Sequence, residues 1–236
     1  MPEYLTEFNK RLRCSKGSLV RVNSVKDVEP NAKEYLNKLS KEGLIERVKW
    51  GWYWIPTKVK DIWDFLEKDK NFKVVSAQTA ASFWNHDFVH RDIYVLKVKD
   101  RSYGEALKEF AKKRGWTFEV EYSKDPSEIK YRKIGKLLVE DIEENVIDCL
   151  QNWAFADAFA TLYENRDKIN LNRLYKESYW KRISKTNVRA KQALEYGFHR
   201  LGELGGVEFP HRETRLEDDF VKREIDEAIE KVAELG

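Results

Sequence analysis

The chain of 236 residues carries 44 Lys and Arg against 41 Asp and Glu, a formal net charge of +3, with 42% hydrophobic and 36% charged residues. That suits one large or two ordinary globular domains with a very charged surface. It holds no apolar run near the ~20 residues that span a bilayer, and MPEYLTEFNK lacks a signal peptide's apolar core, so a cytoplasmic setting with no membrane partner is expected. Cys14 and Cys149 stand alone, without metal spacing or a disulfide framework, and are expected to be small buried hydrophobes. A single Met with abundant Lys, Glu, Trp and Tyr resembles a thermophile's usage.

Residues 3–13 read as an amphipathic helix with Tyr4, Leu5, Phe8 and Leu12 on one face. Lys10, Arg11, Arg13 and Lys16 follow, either as a contact to a nucleic-acid backbone or as a solvated helix end. Leu19, Val20 and Val22 make a short strand, and Ser24 can cap a brief helix over Val25 to Val28. Pro30 fits the first turn of a helix over Asn31 to Glu42, where Ala32, Leu36 and Leu39 form an apolar stripe. Gly43 falls where the helix end needs a left-handed residue. Leu44–Val48 and Trp52–Ile55 are strands around a tight Lys49-Trp50-Gly51 turn, and Pro56 stops the second.

Three helices followed by a hairpin is the order of a winged helix-turn-helix, with Asn31–Glu42 as its second motif helix and the hairpin as its wing. Asn31, Lys33, Glu34, Asn37, Lys38 and Lys41 lie off the apolar stripe. Asn reads base edges and Lys neutralises phosphates, as a helix in a major groove requires. Residues 1–58 carry twelve Lys and Arg against seven Asp and Glu, while residues beyond 133 are net acidic; the positive excess falls where a duplex would bind.

The run GLIERVKWGWYWIP resembles the wing of the N-terminal domain in AbiEi-type antitoxins, transcriptional regulators of type IV toxin–antitoxin systems, through Gly43, Leu44, Ile45, Arg47, Gly51, Tyr53 and Pro56. The tip position, often basic in that family, is Trp50, with Lys49 beside it. The resemblance covers about a sixth of the chain. It implies a repressor of its own promoter that binds double-stranded DNA, with a C-terminal domain that carries antitoxin activity and meets a toxin protein. Asn31, Lys33, Asn37, Lys38 and Lys41 would enter the major groove, Arg47 and Lys49 would hold phosphates, Trp50 would join the DNA-binding surface, and the aromatic run Trp50, Trp52, Tyr53 and Trp54 could stack on bases or wedge into a minor groove. Binding as a homodimer or pairwise on DNA would suit a palindromic site. Trp52 and Trp54 alternate with Tyr53 and Ile55, and both faces are expected to be buried.

From residue 59 no Pro, Gly or Ser linker appears. The pattern predicts helices over Asp61–Lys68, Ala77–Trp84 (capped by Ser76) and Gly104–Arg114, and strands over Asp92–Lys99, Thr117–Tyr122 and Lys136–Glu140. From Asp141 onward everything reads helical, including Val188–Leu201 and an acidic helix within 212–234. The fold class is therefore α+β, with a winged helix-turn-helix over 1–58 and, over 59–236, a mixed α/β domain that ends in a helical region.

Other chemistry is weaker. His86 and His90 stand at i, i+4, but in a predicted loop with no further His or Cys pair. Glu140, Asp141, Glu143, Glu144 and Asp148 cluster at a helix start, where the macrodipole favours acids. A metal-dependent nuclease or nucleotidyltransferase built on Glu140–Asp148 remains a rival, as does a protein-interaction module whose winged helix no longer binds DNA. Arg173, Lys176, Lys181, Arg182, Lys185 and Arg189, interleaved with aromatics, could be a second nucleic-acid surface or could dock on the acidic segment 213–230. No phosphate-binding loop, nucleophile signature or dinucleotide fingerprint is present, so no cofactor and no enzymatic activity are expected.

Overall fold

The computed structural model describes residues 1–26, 29–89, 91–170, 174, 188–205 and 216–235. The fold is mixed α+β with two sheets. In chain order its elements are α1 (Glu3–Arg11), a 3-10 turn (Leu12–Ser15), β1 (Leu19–Arg21), α2 (Val22–Lys26), α3 (Ala32–Lys41), β2 (Glu46–Lys49), β3 (Trp52–Trp54) and α4 (Ile62–Lys68). Then come β4 (Lys73–Val75), α5 (Ala77–Trp84), β5 (Ile93–Val98), α6 (Arg101–Lys112), β6 (Thr117–Tyr122), β7 (Tyr131–Ile134) and β8 (Leu137–Glu140). Helices α7 (Ile142–Gln151), α8 (Phe155–Glu164), α9 (Val188–Gly205) and α10 (Asp219–Leu235) complete the described chain. Two compact units emerge: residues 1–73, 97–126 and 135–137, and residues 74–96, 127–134 and 138–236. The division does not coincide with residue 58, because the first unit also takes in α4 and α6.

In the first unit the sheet order is β1-β3-β2 and both pairings are antiparallel. The apolar stripe of α3 is fully buried at Ala32, Leu36 and Leu39, against Leu5, Phe8, Ile45, Tyr53 and Ile55. Burial of each Leu side chain stabilises by roughly 1.5–3 kcal/mol. Tyr4 remains exposed. Gly43, at φ +73°, ends α3: its N–H donates to the Ser40 carbonyl at 3.1 Å, and that of Leu44 to the Leu39 carbonyl at 3.0 Å. This is the two-bond helix ending that favours glycine.

α2 begins at Val22, so Ser24 lies inside it and donates to the Arg21 carbonyl at 2.7 Å instead of capping. The Val22 N–H still donates to the Gly51 carbonyl at 2.9 Å, in register with the β1–β3 ladder, as α2 begins. Cys14 also departs from expectation, being exposed, whereas Cys149 is buried.

The hairpin is buried on both faces. Tyr53 and Ile55 join the core beneath α3. On the opposite face Trp54 lies 5.6 Å from the Phe65 ring of α4 and 4.7 Å from the Phe110 ring of α6, and Trp52 lies 5.7 Å from Tyr103. Lys113 and Arg114 clamp Glu46 of β2 at 3.1 and 2.8 Å. Burial alone would raise the Glu46 pKa, but these two donors hold it below the usual carboxylate value. α6 starts earlier than its periodicity suggested, because Asp100 caps it through the N–H groups of Ser102 and Tyr103.

The five-stranded sheet has the order β6-β5-β4-β8-β7, and β4 pairs parallel to β8 at Val75 and Val139. β7 was not read from the sequence; most of it is exposed, which leaves no apolar alternation to detect. In the second unit α7, α8, α9 and α10 share a core that includes Val146, Phe159, Phe198 and Ile225. α5 is not capped by Ser76, whose hydroxyl makes no hydrogen bond. Glu140 takes that role, accepting from the Ala77 N–H at 2.8 Å.

Asp157 of α8 is 1% exposed and paired with Arg91 at 2.8 Å. Burial above all, with Asp87 adding to it and Arg91 opposing, pushes its pKa up to about 6. The folded state therefore favours the protonated acid. The resulting stability is complete below the unfolded pKa of about 3.9 and is lost as pH rises through 6, an effect of up to about 3 kcal/mol. Urea unfolding at pH 4 and pH 7.5 should thus find Asp157→Asn gaining on the parent by about that amount at the higher pH; a constant difference would refute the shift.

Candidate nucleic-acid interface

The residues of interest in the first unit are set by three neighbouring elements. The stripe of α3 turns Lys33 and Asn37 away from the core, the β2–β3 hairpin presents Arg47 and Trp50, and the β1–α2 junction brings Arg21, Asn23 and Lys26. Together they wall a cavity of about 250 Å³ whose floor includes Trp52, Tyr53 and Ser102. Four cations line it and, among the described residues, no carboxylate does. Arg21 is shared with Asp100 at 3.4 Å, whereas Lys26, Lys33 and Arg47 have no ion-pair partner among the described residues.

The floor is held by specific bonds. The Tyr53 hydroxyl donates to Asn37 Oδ1 at 2.6 Å, and the Trp52 indole N–H donates to Ser102 Oγ at 2.8 Å. Burial raises the pKa of the Tyr53 phenol, opposed by Arg47, so it stays a neutral donor near pH 7. The Asn37 amide N–H₂ and the Ser102 O–H each keep donor capacity toward an occupant.

The sequence-predicted residues separate into two groups. Lys33, Asn37, Arg47 and Trp50 converge on the cavity; Asn31, Lys38, Lys41 and Lys49 do not line it. Asn31 and Lys41 are exposed, and Lys49 is half-buried. Lys38 is engaged within the chain: it bonds Glu34 at 2.6 Å and the Tyr4 hydroxyl at 3.0 Å. Those bonds, Glu34's first, raise its pKa. Trp50 is 77% exposed, in contrast to the buried aromatics that follow it. Arg21 and Lys26 were missed by the sequence reading, although the RVNSVK run holds both cations. Which side of a short helix faces the hairpin is fixed only by where α2 begins.

The second predicted basic surface is mostly outside the described residues: Arg173, Lys176, Lys181, Arg182 and Lys185 fall there, as does His90. Arg189 is described, and it pairs with Asp218 and covers the Trp153 ring at 4.8 Å. Arg200 bonds Asp226 at 2.7 Å, and the Tyr196 hydroxyl bonds the same carboxylate at 2.8 Å. For these residues the basic helix docks on the acidic one.

The carboxylates of Glu140–Asp148 are buried at all five positions. Asp141 caps α7 by accepting from the Glu144 N–H at 3.1 Å, Glu140 serves α5, and Glu143 accepts from the Asn170 N–H at 3.1 Å. His86 adopts φ +57° in a turn and reaches Glu164 at 3.8 Å. Among the described residues no three His, Cys, Asp or Glu side chains converge as a metal site would, and no helix is long and apolar enough to cross a membrane. Set beside known proteins, the chain matches no family model and no curated sequence.

Proposed function

We propose that the chain is a DNA-binding transcriptional regulator. In this reading its first 58 residues act as a winged helix-turn-helix, in the manner of an AbiEi-type antitoxin that represses its own promoter, and the second unit meets a protein partner. One observation carries the reading: the α3 surface, the β1–α2 junction and the hairpin form a single concave wall with four cations and, among the described residues, no carboxylate. A phosphate backbone seeks such a surface, since each neutralised phosphate releases counterions. Lys26, Lys33 and Arg47 are its exposed charges, and Trp50 is exposed beside them.

Mobility-shift titrations against the chain's own promoter at several salt concentrations test this. Binding should weaken steeply with salt, and Lys33→Ala and Arg47→Ala should each flatten the log–log slope by about one unit. Lys38→Ala should leave the slope unchanged, since Glu34 and Tyr4 already occupy that ammonium. No shift at low salt, or an equal effect from all three changes, would refute the interface. Intact DNA after incubation with Mg²⁺ separates a regulator from the rival nuclease.

A further inference from the structure

We infer that the cavity between α3, the β1–α2 junction and the hairpin is a binding site for a nucleoside monophosphate, and that its occupant excludes DNA. The first half stands on the cavity alone; the second rests on the DNA-binding reading above.

Size points to a free small molecule. At about 250 Å³ the cavity is slightly below the usual ~300–1,000 Å³ range for ligand pockets. Trp52 and Tyr53, which line it, are 3% and 2% exposed. A duplex can lay its backbone across Lys33 and Arg47, whereas the volume of the cavity is on the scale of a single mononucleotide.

Charge narrows the class further. Arg21 is shared with Asp100, but Lys26, Lys33 and Arg47 are like charges around one small space, and an occupant that neutralises more of them binds better. A phosphate monoester carries close to two negative charges near pH 7, since its second pKa is about 6; a DNA phosphodiester carries one. The monoester is the better match to this ring of cations. The ring of a base would stack on Trp50, whose indole stands 77% exposed at the mouth. The Asn37 amide and the Ser102 hydroxyl, each with a donor left over after bonding Tyr53 and Trp52, can meet sugar hydroxyls or base edges. Because Lys33 and Arg47 serve both ligands, the two compete.

Calorimetric titration of the intact chain, in phosphate-free buffer, with AMP, GMP, CMP and UMP should find at least one that binds ten-fold or more tighter than inorganic phosphate or the matching nucleoside. Lys33→Gln and Trp50→Ala should each weaken that ligand ten-fold or more, while Lys108→Gln, on the exposed side of α6, should leave it unchanged. If no monophosphate outperforms inorganic phosphate up to millimolar concentrations, or if Lys108→Gln weakens binding as much as Lys33→Gln, the site is overturned. The bound monophosphate should then release promoter DNA in a mobility shift, and simultaneous binding would overturn the exclusion. Nucleotide binding with no DNA shift at any salt would sink the regulator reading and leave the nucleotide site standing.

Discussion

Trp54→Ala is expected to cost about 3–5 kcal/mol of unfolding free energy, the range for truncating a large buried aromatic. Trp54 is 3% exposed. Its ring meets Phe65 and Phe110, and the Arg114 guanidinium lies 5.8 Å from it. That same guanidinium lies 3.6 Å over the Phe110 ring and holds Glu46, so the cavity left by the indole opens beside an ion pair that also anchors β2. The hairpin should loosen, and with it the placement of Arg47 and Trp50. Trp50→Ala is the matched control: at 77% exposure it should change stability by no more than about 0.5 kcal/mol. Chemical denaturation followed by near-ultraviolet dichroism compares the two. Equal costs would contradict the described packing of the hairpin.

Gly197→Ala should destabilise the second unit by about 1–3 kcal/mol or more, the range for overpacking a core. Helix propensity predicts the opposite sign, since Ala is favoured over Gly in a helix interior by about 1 kcal/mol. The conflict is settled by Phe159: a Cβ at position 197 of α9 would fall on the Cε1–Cζ edge of that fully buried ring. The change should therefore be partly rescued in a Phe159→Leu background, where the ring edge is gone, giving a coupling energy measurable in a double-mutant cycle. If Gly197→Ala stabilised the chain alone, the close approach of α8 and α9 would be wrong.

Much of the first unit was legible because its signals are local. The i, i+4, i+7 stripe of α3, the left-handed Gly43 and the Gly51 turn each follow from a few adjacent residues, and the structure has all three. Alternation in the hairpin also announced burial on two faces. What it could not name was the covering partner. Phe65 was close at hand, but Phe110 and Tyr103 come from a helix about fifty residues further on, and no local pattern encodes which distant aromatic fills a gap. Ser76 failed as a cap for a related reason: its position was right, yet a carboxylate 64 residues away reached the Ala77 N–H instead.

The candidate site divides the same way. Lys33, Asn37, Arg47 and Trp50 could be picked from helical phase and the hairpin motif. Excluding Lys38 required seeing Tyr4 and Glu34 around it, and including Arg21 and Lys26 required the register of β1 on β3, which sets Arg21 opposite Trp52.

The sequence by itself determined the α+β class, the helix–strand order of the first 58 residues and the sign of their charge, because periodicity, turn chemistry and composition act over one or two helical turns. Only the tertiary structure decided that four cations line one cavity, that the Glu140–Asp148 acids are buried, with some of them capping helices and binding backbone, and that α6 belongs with the hairpin. Those outcomes depend on contacts between residues tens of positions apart, and packing selects such contacts by shape and by satisfaction of buried polar groups, neither of which is written in any short stretch of chain.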